Sequence, residues 1–341
     1  MKMLKKWTFT GSLSGLGLTA IMFVLTLLPL KAQMGSPEFR LLNEPLDISG
    51  DFRDFTNTYY LADSLSDFNP EQGTGEIKHL RYEYSTRMAF NNMLAALRPI
   101  DQNEFPSREY AASPKHPFSI EFISPKTVRI RIKTKKELKQ DEQSLMLAGG
   151  SAPKGERWDY TETDKGYKYT SDYGSVIITK SPWHIEFRDA EGKLLTRSLH
   201  LSDMATTYTP VLPFSYVRRA SDYSQSISAA FSLSPEEKIY GCGENYKALN
   251  KRGNKVVLCT DDANGTQNET MYKPIPFFLS SRGYGMFMHT SSPITCDFGK
   301  YFNGANSLMI GDSELDLFVF LGEPKDILDE YTQVTGKAAM P

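Results

Sequence analysis

Apolar and polar side chains alternate along residues 118–122 and again along 128–132, with isoleucine and valine at most of the apolar positions. A Ser-Pro-Lys turn at 124–126 separates the two runs. A period of two with β-branched residues is typical of half-buried β-strands, and the short turn favours direct antiparallel pairing. The sequence therefore predicts a β-hairpin over residues 118–133.

Short apolar runs bounded by turn residues recur along the rest of the chain. They predict further strands over 176–179, 183–188, 194–199, 226–231, 238–241, 255–259, 276–280, 285–289, 294–298, 307–310 and 315–321. Asp-Ala-Glu-Gly at 189–192 and Asn-Gly at 303–304 are turn signals between them. So many strands with few helices predict a mainly β protein, a large antiparallel β-sandwich.

One segment near the end of the sequence has a helical period instead. Ile327, Leu328, Tyr331 and Val334 are spaced as on one face of a helix. Pro324 suits a first helical turn and Gly336 a helix stop. The spacing predicts a C-terminal helix between these two residues.

The first 32 residues have the pattern of a secretory signal peptide. Three lysines lie among the first six residues, an apolar stretch follows over 16–28, and Pro29 ends it. Cleavage is expected after Ala32, so the mature protein is expected to be exported, periplasmic or extracellular. The alternative is an uncleaved N-terminal anchor, although the apolar run is short for a membrane span.

The patterns together divide the chain into four parts. Residues 1–32 are the signal peptide, 33–110 an N-terminal arm with the first strands, 111–322 the β-sandwich and 323–341 a linker helix. Residues 33–75 are polar with scattered aromatics, and we expect an irregular arm there.

Composition removes several classes of function. The 341 residues include 39 Lys and Arg against 41 Asp and Glu, and without the four lysines of the signal peptide 35 basic residues face 41 acidic ones. This acidic balance argues against nucleic acid as a partner. Three cysteines exclude a disulfide scaffold. Without zinc-ligand spacing, a phosphate loop or a dinucleotide fingerprint, we expect no metal and no cofactor.

Two clusters carry candidate chemistry. Tyr-Gly-Cys-Gly-Glu at 240–244 places Glu244 at a strand end after a tight turn. This segment is either a functional site or a structural exit from the strand. Asp261 and Asp262 lie in a loop ending in Asn-Gly, where their carboxylates suit sugar hydroxyls or calcium; the alternative is a solvated turn. Adjacent residues of an extended segment point to opposite faces, so these two are not expected to be a glycosidase acid and nucleophile.

Six short motifs in the second half run in a recognisable order. They are Tyr-Gly-Cys-Gly-Glu at 240–244, Leu-Asn-Lys-Arg-Gly at 249–253, Leu-Cys-Thr-Asp-Asp-Ala at 258–263, Tyr-Lys-Pro-Ile-Pro-Phe-Phe at 272–278, Gly-Tyr-Gly at 283–285, and the strand and helix of 315–336. In this order they resemble the N-terminal region of glycoside hydrolase family 31, the α-glucosidases and α-xylosidases.

The resemblance implies a β-sandwich similar to galactose mutarotase that precedes a (β/α)8 barrel carrying two catalytic aspartates. Nothing in the sequence matches the barrel's nucleophile motif, so we expect the chain to stop before it, with no catalytic residue of its own. The C-terminal helix is then expected to have an apolar face without its partner. The implied partners are an oligosaccharide or glycoside substrate and the barrel, with no membrane contact after signal cleavage.

The same resemblance gives the loop a role. In the family this loop helps shape the site around the leaving group, and Asp262 matches its aspartate, with Asp261 beside it. The family's Trp-Asn is replaced by Cys259-Thr260, which implies a changed aglycone preference. Asp262 and Asp261 are therefore the predicted substrate-binding residues.

Two other functions remain open on sequence. A secreted carbohydrate-binding sandwich without hydrolase activity would stack sugars on exposed aromatics, for which the candidates are Trp158, Tyr160, Tyr167 and Tyr169. An aldose mutarotase would need an acid and a base, for which His289 and Glu244 are the pair to test.

Overall fold

The structure is a computed structural model that describes residues 46–89, 92–100, 113–134, 143–153, 155, 158–200, 211–260 and 271–338, and for 86–89 and 92–95 only the backbone. All of them belong to one compact unit. The predicted signal peptide, Asp261 and Asp262 lie outside the described residues. Within the described ranges, no helix is long and apolar enough to cross a bilayer.

Nineteen strands, two short 3-10 helices and one α-helix make up the described chain. The strands are β1 (Thr58–Asn69), β2 (Thr74–Ala89), β3 (Asn92–Pro99), β4 (Lys115–Ser124), β5 (Thr127–Lys133), β6 (Asp159–Thr163), β7 (Gly166–Ser171), β8 (Gly174–Thr179), β9 (His184–Asp189), β10 (Leu194–Arg197), β11 (Ser215–Arg218), β12 (Gln225–Ser232), β13 (Ile239–Gly241), β14 (Lys255–Leu258), β15 (Phe277–Ser280), β16 (Tyr284–Met288), β17 (Ile294–Phe298), β18 (Ala305–Ile310) and β19 (Glu314–Leu321). The 3-10 helices are Ile48–Gly50 and Ala148–Gly150, and α1 is Pro324–Thr335.

The strands form two antiparallel sheets. The larger has 14 strands in the order β13-β15-β16-β19-β5-β4-β2-β1-β11-β12-β18-β17-β14, with β3 pairing to β2. The smaller has five, in the order β10-β9-β8-β7-β6. The mainly β fold class is confirmed, and so is the hairpin: β4 and β5 pair with Phe118 opposite Ile132 and Phe122 opposite Val128.

The inner faces of both sheets share one hydrophobic core. Ile130 of β5, Ile178 of β8 and Phe298 of β17 all belong to it and are fully buried. The turn at 251–253 also ties distant strands of the large sheet together. Its N–H groups donate to the carbonyls of Ile239 in β13 and Phe298 in β17, each at 2.7 Å, so the sheet curls around the core.

The C-terminal helix forms as its spacing predicts, but its apolar face has a partner. Ile327 and Val334 are buried against a second cluster on the outside of the large sheet. The Tyr331 ring stacks on Phe277 with the centroids 4.2 Å apart. The expectation of an unpartnered apolar face is therefore wrong, and of the four spaced positions only Leu328 is exposed.

The predicted irregular arm is wrong where β1 lies. Four consecutive residues of this strand, Tyr59 to Ala62, are buried. Tyr60 and Ala62 face the shared core, while Tyr59 and Leu61 pack into a separate cluster on the outer face. A strand covered on both faces shows no apolar–polar alternation, which explains why the pattern did not reveal it.

Candidate functional site

The Gly-Cys-Gly motif makes a tight turn at the end of β13. Gly241, Cys242 and Gly243 all have positive φ, at 124°, 69° and 77°. The Cys242 N–H donates to the Phe277 carbonyl at 2.8 Å, and the Glu244 N–H donates to the Lys273 carbonyl at 3.2 Å. The turn is thus held against the segment that leads into β15.

Replacing Gly243 with alanine is expected to destabilise the protein by about 2–3 kcal/mol. A Cβ atom here would lie 2.2 Å from the Lys273 carbonyl oxygen, in addition to the strain of a positive φ. Gly253 is the matched control, because its φ is also 77° but a Cβ there meets no atom within 4 Å. Urea unfolding of both variants measures the difference; equal losses would contradict the close approach at Gly243.

The candidate loop begins and ends at one point of the structure. Thr260 and Met271 form an isolated β-bridge, so the two residues that flank 261–270 lie side by side. Cys259 and Thr260, before the loop, line a cleft of about 370 Å³ together with Pro274 and Thr290. Small-molecule sites are clefts of this order of size, while the placement of Asp261 and Asp262 stays a prediction.

Large apolar side chains are exposed on the two segments joined by the Glu244–Lys273 hydrogen bond, the second of which contributes Pro274 to this cleft. Tyr246 and Leu249 are about four-fifths exposed, and Tyr272 and Ile275 about half. Exposed large apolar groups near one another are typical of contact surfaces. We call these four residues the apolar rim.

Glu244 and His289 have different partners. The Glu244 carboxylate is largely exposed and lies 3.6 Å from the Lys273 ammonium. The His289 ring donates from Nδ1 to Asp316 at 2.7 Å, and its Nε2 lies 2.7 Å from the Ser144 hydroxyl oxygen. These contacts give no support to the two residues as the acid and base of a mutarotase.

The Ser144–His289–Asp316 chain of hydrogen bonds is a feature that the sequence reasoning missed. Burial alone would raise the pKa of Asp316, but the Arg129 guanidinium and the His289 ring hold it below its ordinary value. The Ser144 hydroxyl also accepts the Met146 N–H at 3.2 Å. These hydrogen bonds therefore fasten the segment around Ser144 to the outer face of the large sheet.

The proposed aromatic platform is not exposed. Trp158, Tyr167 and Tyr169 are buried, and the Trp158 indole N–H donates to the Ser124 carbonyl at 2.9 Å. Tyr160 packs partly buried against the same core. The prediction of a sugar-stacking surface at these rings is wrong, because the small sheet uses them to cover the large one.

A metal site has no support among the described residues, where no three His, Cys, Asp or Glu side chains come together in a way that would hold an ion.

The family follows from comparison with known proteins. The profile of the glycosyl hydrolase 31 N-terminal galactose mutarotase-like domain matches residues 117–297. This is more than half of the chain, and the chain belongs to that family. The resemblance drawn from the six motifs is thereby confirmed.

Curated relatives agree with this assignment. An alpha-xylosidase of Emericella nidulans is 31% identical over 191 residues, which are 52% of this chain and 24% of that enzyme. An alpha-xylosidase of Lactiplantibacillus pentosus is 32% identical over 173 residues, 50% of this chain and 21% of that enzyme. The matched regions thus span about a quarter or less of these relatives.

A solved structure shows the same fold. The family 31 dextranase of Flavobacterium johnsoniae, complexed with glucose, superposes with a TM-score of 0.55 at 20% identity. The match covers 83% of this chain and 29% of the dextranase.

Proposed function

We propose that the chain is the non-catalytic N-terminal portion of an exported family 31 α-glycosidase that hydrolyses α-glucosides or α-xylosides. The observation that carries the proposal is the Thr260–Met271 bridge, which holds the two residues that flank 261–270 together beside a cleft. Binding residues are usually presented by connecting segments anchored on a rigid sheet.

The apolar rim and the loop have separate roles in this proposal. The rim residues face the catalytic barrel, whose contact explains their exposure in this chain. The loop reaches over the barrel mouth, where Asp262 and Asp261 accept hydrogen bonds from sugar hydroxyls on the leaving-group side. The chemistry itself uses a carboxylate nucleophile and a second carboxyl acid/base supplied by the barrel.

Capture of the protein from its native host tests the activity. An antibody against residues 118–336 is expected to retain a protein that releases p-nitrophenol from the p-nitrophenyl α-glycoside of xylose or glucose. The captured protein is expected to begin at Gln33, as export with signal cleavage requires. Captured protein that hydrolyses neither substrate contradicts the proposal, and oligosaccharide binding without hydrolysis would identify a binding module instead.

The role of the loop is tested with variants that are produced in the native host and captured in the same way. Asp262→Asn is expected to lower kcat/KM about tenfold for a disaccharide substrate, through one lost charge-assisted hydrogen bond. Asp222→Asn is the control, because Asp222 is exposed and bonded to Arg219 in another turn. Equal activity of the two variants would remove Asp262 from the site.

A further inference from the structure

A second pocket lies at the other end of β17 from the candidate loop. Ile294, the first residue of this strand, lines the cleft beside the loop, whereas Asp297 lines the second pocket. Cys296 belongs to the shared core, so its neighbour Asp297 points to the outer face of the large sheet. We call this second place the outer pocket. Its lining includes Ser49, Arg53, Ser228, Asp297, Tyr301 and Ser307.

Two buried polar atoms of residues that line the outer pocket have no hydrogen-bond partner in the described part of the chain. They are Oδ2 of Asp297, a residue that is 4% exposed, and Oγ of Ser49, which is 1% exposed. Oδ1 of Asp297 accepts the N–H groups of Lys300 and Tyr301 at 2.7 and 3.4 Å. Because buried polar atoms are normally satisfied, the carboxylate oxygen left over marks a place for a bound group.

Positive charge lies beside this carboxylate without pairing to it. Lys255 is opposite Asp297 on β14, but its ammonium group donates to Asp47 instead. The Arg53 guanidinium lies over the Tyr301 ring, 3.4 Å from the centroid, and lines the pocket as well. A metal cation would meet this guanidinium, and an anion would meet the carboxylate. The outer pocket therefore suits a neutral ligand that can both donate and accept hydrogen bonds.

Aromatic rings stand at the mouth of the outer pocket. Tyr301 is 46% exposed and Phe302 38%, and both line the pocket. Exposed apolar rings next to a few fixed polar groups are the usual composition of a small-molecule site. The cavity holds about 60 Å³, which is room for about four water-sized groups. That space takes the hydroxyl groups along one edge of a ring and leaves the body of the ring at the mouth.

We propose that the outer pocket binds one sugar ring by its hydroxyl-bearing edge. A sugar is neutral, its hydroxyls donate and accept, and its C–H groups form an apolar face. Asp297 Oδ2 accepts one hydroxyl, and the Arg53 guanidinium donates to the oxygen of another. The C–H face packs against the rings of Tyr301 and Phe302. The bound ring is either a free monosaccharide or the end unit of an oligosaccharide, since both present the same edge.

The test is a saturation-transfer NMR titration of the full chain with glucose, xylose and maltotriose. At least one of them is expected to bind saturably with a dissociation constant of about 1 mM, as expected for so few ligand atoms in a shallow site. Tighter binding of maltotriose than of glucose identifies a chain end as the ligand, and equal binding identifies a single unit. No saturable binding of any of the three would mean a pocket filled by water and would overturn the proposal.

Variants assign the binding to the outer pocket. Asp297→Asn keeps an oxygen for the two N–H groups but turns the other acceptor into a donor, and is expected to weaken binding about tenfold. Tyr301→Ala is expected to weaken it several-fold. Tyr173→Ala is the matched control, because Tyr173 is 48% exposed and also has a cation, Lys126, 4.4 Å from its ring centroid. Equal affinity of the Tyr301 and Tyr173 variants would contradict the site, and this comparison holds even if Asp297→Asn does not fold.

A further variant separates the outer pocket from the candidate loop. Asp262→Asn is expected to bind the sugar as the parent protein does. Binding that is lost in Asp262→Asn but kept in Asp297→Asn would assign the sugar to the loop and overturn the proposal. Because the readout is binding to this chain and not hydrolysis, the result does not depend on the proposed glycosidase activity.

Discussion

Replacement of Asp316 with alanine is expected to lower the free energy of unfolding by about 3–5 kcal/mol. Asp316 of β19 binds the Arg129 guanidinium of β5 through two hydrogen bonds, Nε to Oδ1 at 2.8 Å and Nη2 to Oδ2 at 2.7 Å. The Arg129 side chain is 1% exposed. Without the carboxylate, a buried cation loses its main counter-charge, and His289 loses the acceptor of its Nδ1–H.

Urea unfolding measures this loss. Glu162→Ala is the control, since Glu162 also pairs with a cation, Lys180 at 2.9 Å, but is largely exposed; its cost is expected to stay below about 1 kcal/mol. The double variant Arg129→Met with Asp316→Leu is expected to recover much of the stability, because it removes both buried charges. A single Asp316 variant as stable as the Glu162 variant would contradict the role of the ion pair.

A fall in pH from 6.5 to 5 is expected to lower the free energy of unfolding by about 3 kcal/mol, about 1.6 from each of two buried histidines. Burial lowers the pKa of His79 to about 3, with a smaller contribution from His116. Burial also lowers the pKa of His116 to about 4. The folded state thus holds both rings neutral, while the unfolded chain takes up protons near pH 6.5.

The sign follows from which state binds more protons. Between pH 6.5 and 4 the unfolded chain binds them and the folded protein does not, so stability is complete above pH 6.5 and is lost as the pH falls. The carboxyl of Asp316 acts in the same direction but at lower pH, because its pKa is below the ordinary value and its contribution disappears only as the pH falls through that folded pKa.

The two histidines form one buried group with a tyrosine. The His79 and His116 rings are 5.1 Å apart and each lies within 5.3 Å of the Tyr216 ring. His116 Nε2 and the Tyr216 hydroxyl are 3.0 Å apart, and His79 Nδ1–H donates to the Ile77 carbonyl at 3.2 Å. These partners satisfy neutral rings, and a second proton on either ring would stay buried among aromatics.

Urea midpoints across pH 5 to 7 test this prediction. His79→Gln and His116→Gln are each expected to remove about half of the pH dependence, and a variant lacking the half-buried His184 controls for the loss of a histidine elsewhere. A midpoint that does not change between pH 6.5 and 5, or variants with the slope of the parent protein, would show that the rings are not held neutral.

Local pattern was a good guide where it repeats with the period of a strand or a helix. β4 and β5 follow from period-two alternation, although every residue of β5 is buried, and α1 follows from helical spacing between a proline and a glycine. The tight turn at 241–243 follows from its glycines, since only a residue without a Cβ fits against the Lys273 carbonyl. In each case the physical cause acts within a few neighbouring residues.

Local pattern was a poor guide where distant segments meet. β1 looked irregular because a second apolar cluster covers its outer face. Trp158 and Tyr169 looked like a sugar platform, yet the small sheet buries them. Arg129 and Asp316 are 187 positions apart, and only the pairing of β5 with β19 brings them together. The part of the site held by Asp261 and Asp262 stays a prediction from the motif alone.

The sequence by itself determined the mainly β class, the turn at 240–244, the C-terminal helix and, through six ordered motifs, the family. These rest on short-range geometry and on residue order, which the chain carries without folding. Only the tertiary structure decided which polar groups are buried together and which aromatics are covered. It paired Arg129 with Asp316 and kept His79 and His116 neutral. These outcomes depend on the curling of a 14-stranded sheet around one core, because burial and electrostatic pairing arise between residues that only the fold brings near each other.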